Sequence, residues 1–171
     1  MGGVFRNDRG DWLLGFQHSK PSSSPLQSEL EALKLGLSIA LNYDFSPLIV
    51  ETDAAELIKV FYSDAMSYTS IITDCRWLMH QLKHPKITHN FWEGNKVARK
   101  MAKDGLKHAR KNQVFVNPLP LVLNNLAMDR NGYVYLTKKL SINACFILVE
   151  MGNVNVLEAC PFTRDVPVST M

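Results

Sequence analysis

Cysteine is scarce, and Cys75, Cys145 and Cys160 lie far apart with no CxxC pair among them. An odd, widely spaced set of thiols supplies neither a disulfide framework nor a zinc ribbon, and suits a reducing compartment. No apolar run approaches the roughly 18 residues that a membrane span needs. There is no Asn-x-Ser/Thr sequon. The opening "MGGVFRNDRG" contains no apolar signal segment, and Arg6 stands where N-myristoylation would want Ser or Thr. Internal repeats and low-complexity tracts are also absent. These absences lead to the expectation of a soluble intracellular protein of nucleus or cytoplasm, without membrane association or an evident obligate protein partner. With 171 residues, 46% of them hydrophobic, one domain with a sizeable core is the default.

Net charge is only +3, but it is unevenly spread. Lys83, Lys86, Lys96, Arg99, Lys100, Lys103, Lys107, Arg110 and Lys111 are opposed in their stretch by Glu93 and Asp104 alone. A basic block can grip phosphates, or it can be a solvated lysine-rich helix face, and charge alone leaves both open.

Gly2 to Arg6 and Trp12 to Gln17 read as two strands joined by "NDRGD", whose Asn, Asp and Gly are hairpin-turn residues. Ser24, Pro25 and Gln27 then form an S-x-x-Q capping box with proline at the first helical position. Leu26, Leu30, Leu33, Leu37 and Leu41 recur at helical spacing as far as Asn42. "PLIVET" predicts a buried strand and "AAELIKVFY" a helix. "YTSIITDCRWLMHQLK" is a second helix, stopped at Pro85. "KITHNF" is a strand candidate and Lys96 to Ala109 a basic amphipathic helix. Such alternation implies an α/β layer fold with functional residues at strand ends. Beyond Lys111 the pattern is lost, apart from the apolar run "INACFILVEM".

Four ordered blocks carry a resemblance: "GGVFRNDRGDWLLGF", "SELEALKLGLSIAL", "LIVETDAAELI" and "ITHNFWEGNKVARKMAKDG". From Gly2 to about Tyr135 the chain resembles the plant ribonuclease H-like domains related to the ribonuclease H portion of retroelement reverse transcriptases. The resemblance implies a mixed five-stranded sheet flanked by helices. It also implies hydrolysis of the RNA strand of an RNA/DNA hybrid with two magnesium ions, one activating water and the other stabilising the leaving oxygen. By the same resemblance Glu29 and Asp53 are metal-binding carboxylates, with His89 as a helper that shuttles a proton or helps product leave. Without it, Glu29 is a surface glutamate and Asp53 the N-cap of the next helix. Trp92, Asn95, Lys96, Lys100 and Lys103 are the expected nucleic-acid contacts, Trp92 by stacking.

Two departures bear on activity. The family's last helix begins "GNxxAD", whereas this chain reads "GNKVAR", placing Arg99 where the fourth carboxylate is expected. A guanidinium there would pair with the remaining carboxylates and compete with magnesium. The family's first strand, central in the sheet and bearing the first Asp, should precede "GGV" and does not appear. Either the tail segment 142–149 takes its place, or that tail is unpacked. The expected organisation is a ribonuclease H-like domain over 1–112 lacking its first strand, a proline-containing extension over 113–137, and a tail outside the resemblance over 138–171. The expected function is a nucleic-acid-binding domain, for RNA/DNA hybrid or RNA, with magnesium-dependent cleavage impaired or lost. The alternative is an active hybrid ribonuclease.

Overall fold

A computed structural model describes residues 1–63, 67–91, 94–108, 112–130 and 145–149. The chain opens on the expected hairpin, β1 (Gly2–Arg6) and β2 (Trp12–Gln17), paired antiparallel. The turn closes because the Asn7 side-chain oxygen accepts from the Arg9 and Asp11 N–H groups, while Gly10 takes a positive φ of 76°. Helix α1 (Pro25–Asn42) starts where the capping box requires, the Gln27 N–H donating to Ser24 Oγ at 3.1 Å. The reciprocal bond goes one residue earlier, from the Ser23 N–H to Gln27 Oε1.

There follow β3 (Leu48–Thr52), α2 (Ala55–Tyr62), α3 (Thr69–Gln81), β4 (Lys86–His89) and α4 (Lys96–Gly105). Helix α4 ends at Gly105, four residues before the expected Ala109. The connector that had no readable pattern holds β5 (Gln113–Phe115), a 3-10 turn Pro120–Val122 and α5 (Leu123–Arg130). A final strand, β6, is Cys145–Val149.

The six strands form one mixed sheet in the order β4-β3-β6-β1-β2-β5. This is a helix-flanked mixed sheet as the resemblance implies, but of six strands rather than five: β5 adds one at the edge, and β6 fills the central position of the missing first strand. β6 runs antiparallel to β3, from Leu48 opposite Val149 to Thr52 opposite Cys145. It runs parallel to β1 at Phe5 opposite Ile147 and Arg6 opposite Leu148. The tail segment therefore does occupy the centre over Cys145–Val149; residues 142–144 lie outside the described residues. Buried strand edges need partners for their N–H and C=O groups, and β6 supplies them to β3 and part of β1.

Side-chain alternation builds a core on each face of the sheet. Phe5, Leu14, Phe16 and Val50 join Leu30, Leu33 and Leu37 of α1 and Cys75 of α3 in the larger cluster, each of these side chains wholly buried. Burying one such side chain is worth about 1.5–3 kcal/mol. Val4 faces the other way, onto Val97 and Met101 of α4, with Phe115, Val122 and Leu126 completing that cluster. Gly2 lets α4 approach: a Cβ there would lie 2.6 Å from the Ala102 nitrogen. The connector is tied down by Trp12, whose indole N–H donates to the Val116 carbonyl at 2.9 Å.

Candidate functional site

Asp53 sits just past β3, where the backbone leaves the sheet. It does not cap α2: the N-cap is Ala54, with no side-chain cap bond, and Thr52 Oγ1 accepts the Ala54 N–H. The Asp53 carboxyl is instead turned to the start of α4. Asn95 Nδ2 donates to Oδ1 at 2.8 Å, and Arg99 Nη1 lies 4.0 Å from Oδ2. Both charged side chains are only 11% exposed. Burial raises the Asp53 pKa above the usual carboxylate value, and the Asn95 bond, the Arg99 charge and His89 oppose that shift without cancelling it.

A second set of charged side chains comes from β3, β1 and α5. Glu51 accepts from Asn90 Nδ2 at 3.0 Å. Burial raises its pKa, against the Asn90 bond and the charge of Arg6. Arg6 is itself buried, with Nη1 2.8 Å from Asp129 Oδ2 on α5. Burial lowers the Arg6 pKa and raises that of Asp129, so at both ends of this ion pair desolvation outweighs the attraction.

Glu29 is buried on α1, and its charge acts on the Met1 amino group, whose pKa burial lowers. That amino group donates to the His18 carbonyl at 2.8 Å. The groups acting on the Asp53 carboxyl come from other elements: Asn95, Arg99 and His89. Glu31, about 200° round the helix from Glu29, points elsewhere and binds Lys20 at 2.7 Å. His89 is exposed at the end of β4, edge-on to Phe91 with centroids 5.5 Å apart. Among the described residues no three His, Cys, Asp or Glu side chains are grouped so as to hold a metal ion.

The expected nucleic-acid contacts divide. Asn95 is wholly buried and its amide serves Asp53 rather than the surface. Lys96 is half-buried, and its charge also acts on Asp129. Lys100 and Lys103 are exposed, Lys100 donating to the Leu121 carbonyl at 2.9 Å. At 100° per residue the three lysines fall within about 60° of one another, on the side of α4 away from Val97, Ala98 and Met101. Trp92 lies outside the described residues. No helix among the described residues is long and apolar enough to cross a membrane.

Sequence reasoning missed Arg6, Glu51, Asn90 and Asp129. Glu51 carried a readable signal, since in a strand it shares a face with the residue two positions on, Asp53. The Arg6–Asp129 pair carried none, because 123 residues separate its members.

No curated protein and no solved structure matches the chain. A family model described as reverse transcriptase-like matches residues 1–105, the stretch that holds β1 to α4 with Glu29, Asp53 and Arg99. A match over more than half of the chain, on the observed helix-flanked mixed sheet, makes this an RNase H-like domain and the chain a member of the reverse transcriptase-like family.

Proposed function

We propose that the chain is a nucleic-acid-binding RNase H-like domain whose magnesium-dependent cleavage of RNA in RNA/DNA hybrids is impaired or lost. The observation that carries this reading is the Arg99 guanidinium 4.0 Å from the Asp53 carboxylate. A two-metal nuclease concentrates negative charge so that two cations can share it. Here a fixed cation already lies beside the strand-end carboxylate, and Asn95 takes its second oxygen. This donor set does not fit a magnesium pair. In this reading Glu29 and Asp53 are the surviving family ligands and His89 is the helper, supported by the effect of its charge on Asp53.

The binding half rests on the lysine stripe of α4. Phosphates of an RNA/DNA hybrid or of RNA would lie along Lys96, Lys100 and Lys103, as point charges without sequence preference. Neutralising three phosphates gives a slope of about −2.7 in log K against log salt, hence roughly 40-fold weaker binding at 200 mM than at 50 mM salt. Fluorescence anisotropy with a labelled hybrid, on the wild type and on a Lys96→Gln, Lys100→Gln, Lys103→Gln variant, tests it. The variant should bind more weakly and flatten the slope; equal affinity and slope would refute the assignment of this face.

A further inference from the structure

Helix α3 ends in a histidine pair. His80 lies in its last turn, and His84 follows the helix end. Between them the backbone doubles back: Lys83 and His84 take positive φ values of 60° and 59°, and their N–H groups donate to the His80 and Met79 carbonyls at 3.1 and 2.7 Å. Two consecutive left-handed residues, neither of them glycine, cost conformational free energy. Strain of this kind gathers where side chains are held for a ligand. Its effect here is to set the two imidazoles edge-on, with centroids 5.2 Å apart. Both residues are exposed, and among the described residues neither ring nitrogen meets a hydrogen-bonding or ionic partner.

That separation has a chemical meaning. Zinc lies about 2.0–2.1 Å from an imidazole nitrogen, which is itself about 1.1 Å from its ring centroid, so each centroid would stand about 3.2 Å from the ion. At a tetrahedral angle of about 109° two such centroids are about 5.2 Å apart, and at about 90°, as in square-planar or octahedral sites, about 4.5 Å. The observed 5.2 Å matches the tetrahedral value. Turning about each Cβ–Cγ bond moves the ring nitrogens and leaves the centroids almost in place, so the exposed rings can face one ion without a backbone change. The carbonyl end of α3 favours a positive charge there. Lys83, exposed between the two histidines, opposes it. The chain supplies two ligands, since no three His, Cys, Asp or Glu side chains are so grouped among the described residues. Two positions of a four-coordinate ion are left for water or for the same pair on a second copy of the chain.

We propose that His80 and His84 form a binding site for a divalent metal ion of the zinc class. It uses none of the residues around Asp53 and none of the lysine stripe, so it stands whether or not the domain binds or cuts nucleic acid.

The test is an NMR titration of the full chain with zinc chloride, and separately with magnesium chloride. Affinity is read from the imidazole signals of His80 and His84, so that zinc taken by a thiol elsewhere is not counted. Zinc should shift both rings with submillimolar affinity, and magnesium, which takes oxygen ligands, should shift neither. His80→Gln and His84→Gln are surface changes that the fold should tolerate, which metal-free melts check. Each should weaken zinc binding at the remaining ring at least tenfold, and His108→Gln should leave the affinity unchanged. Sedimentation with zinc reads the two remaining positions: a monomer holding one ion marks water, and a zinc-dependent dimer holding one ion per two chains marks the partner copy's pair. No saturable shift of the two rings below millimolar zinc, undiminished binding in either glutamine variant of the pair, or an equal response to magnesium would overturn the proposal.

Discussion

Reversing the charge at Arg99 probes the site most sharply. In the wild type the guanidinium and the Asp53 carboxylate, each 11% exposed, lie 4.0 Å apart. At an effective dielectric of about 20, two unit charges at that distance interact by roughly 4 kcal/mol before desolvation. Arg99→Asp turns this attraction into repulsion, but the loss is bounded because Asp53 can escape by taking a proton. Lifting its pKa from the ordinary 3.8 to pH 7 takes about 4.4 kcal/mol at 1.36 kcal/mol per unit. The metal-free variant should therefore be less stable by about 2–4 kcal/mol at pH 7. Two adjacent carboxylates also make a cation site. With 10 mM magnesium and a dissociation constant of about 1 mM, binding to the folded state alone restores about 1.4 kcal/mol. That corresponds to a Tm rise of roughly 3–6 °C. Circular dichroism melts with and without magnesium, at matched ionic strength, read both numbers. The wild type should move by no more than about 1 °C. A wild-type rise as large as the variant's would mean that Arg99 does not exclude the metal, and the reasoning would fail.

Other consequences follow from burial. Glu51, Asp53 and Asp129 all have folded pKa values raised above the ordinary 4.5, 3.8 and 3.8. A raised carboxyl binds more protons folded than unfolded, so the stability it confers is present at low pH and is lost as pH climbs from the ordinary value through the folded one. Urea midpoints should therefore carry a component that declines from about pH 4 upward, and Asp53→Asn should make the decline shallower; an unchanged or steeper decline would contradict the assignment. Truncation after Arg130 removes β6 and leaves the β3 edge bare, so the shortened chain should aggregate or lose its cooperative melt on size exclusion and calorimetry. A monomeric, cooperatively melting chain ending at Arg130 would show that the centre of the sheet does not depend on β6.

Much of the front of the fold was legible because local signals agreed with the global pattern. The Asn-Asp-Arg-Gly-Asp turn fixed the hairpin, the Ser24 cap and Pro25 fixed the start of α1, and Pro85 marked the end of α3. The connector was not legible. β5 has only three residues, and α5, "LNNLAMDR", contains two asparagines that are poor helix formers and lacks a clean apolar stripe. Its order comes from contacts far away in sequence, Val122 and Leu126 against α4, Trp12 to Val116, and Asp129 to Arg6. β6 could be read as an apolar run and its central place named as one of two readings, but the run itself could not decide between them, because strand partners lie in the fold and not in the run. At the site, Asp53 and Arg99 were readable from their blocks, and the structure brings them together. Asn95 was expected to face a ligand, yet it is wholly buried against Asp53, since the same Gly-Asn step that opens α4 turns its side chain inward.

The central claim is that this domain has an RNase H-like fold with a neutralised cutting site, and hybrid cleavage tests it most directly. A labelled RNA/DNA hybrid incubated with the full chain in magnesium should be bound and left intact. Magnesium-dependent cutting of the RNA strand by the unmodified chain, abolished by Asp53→Asn, would contradict the account.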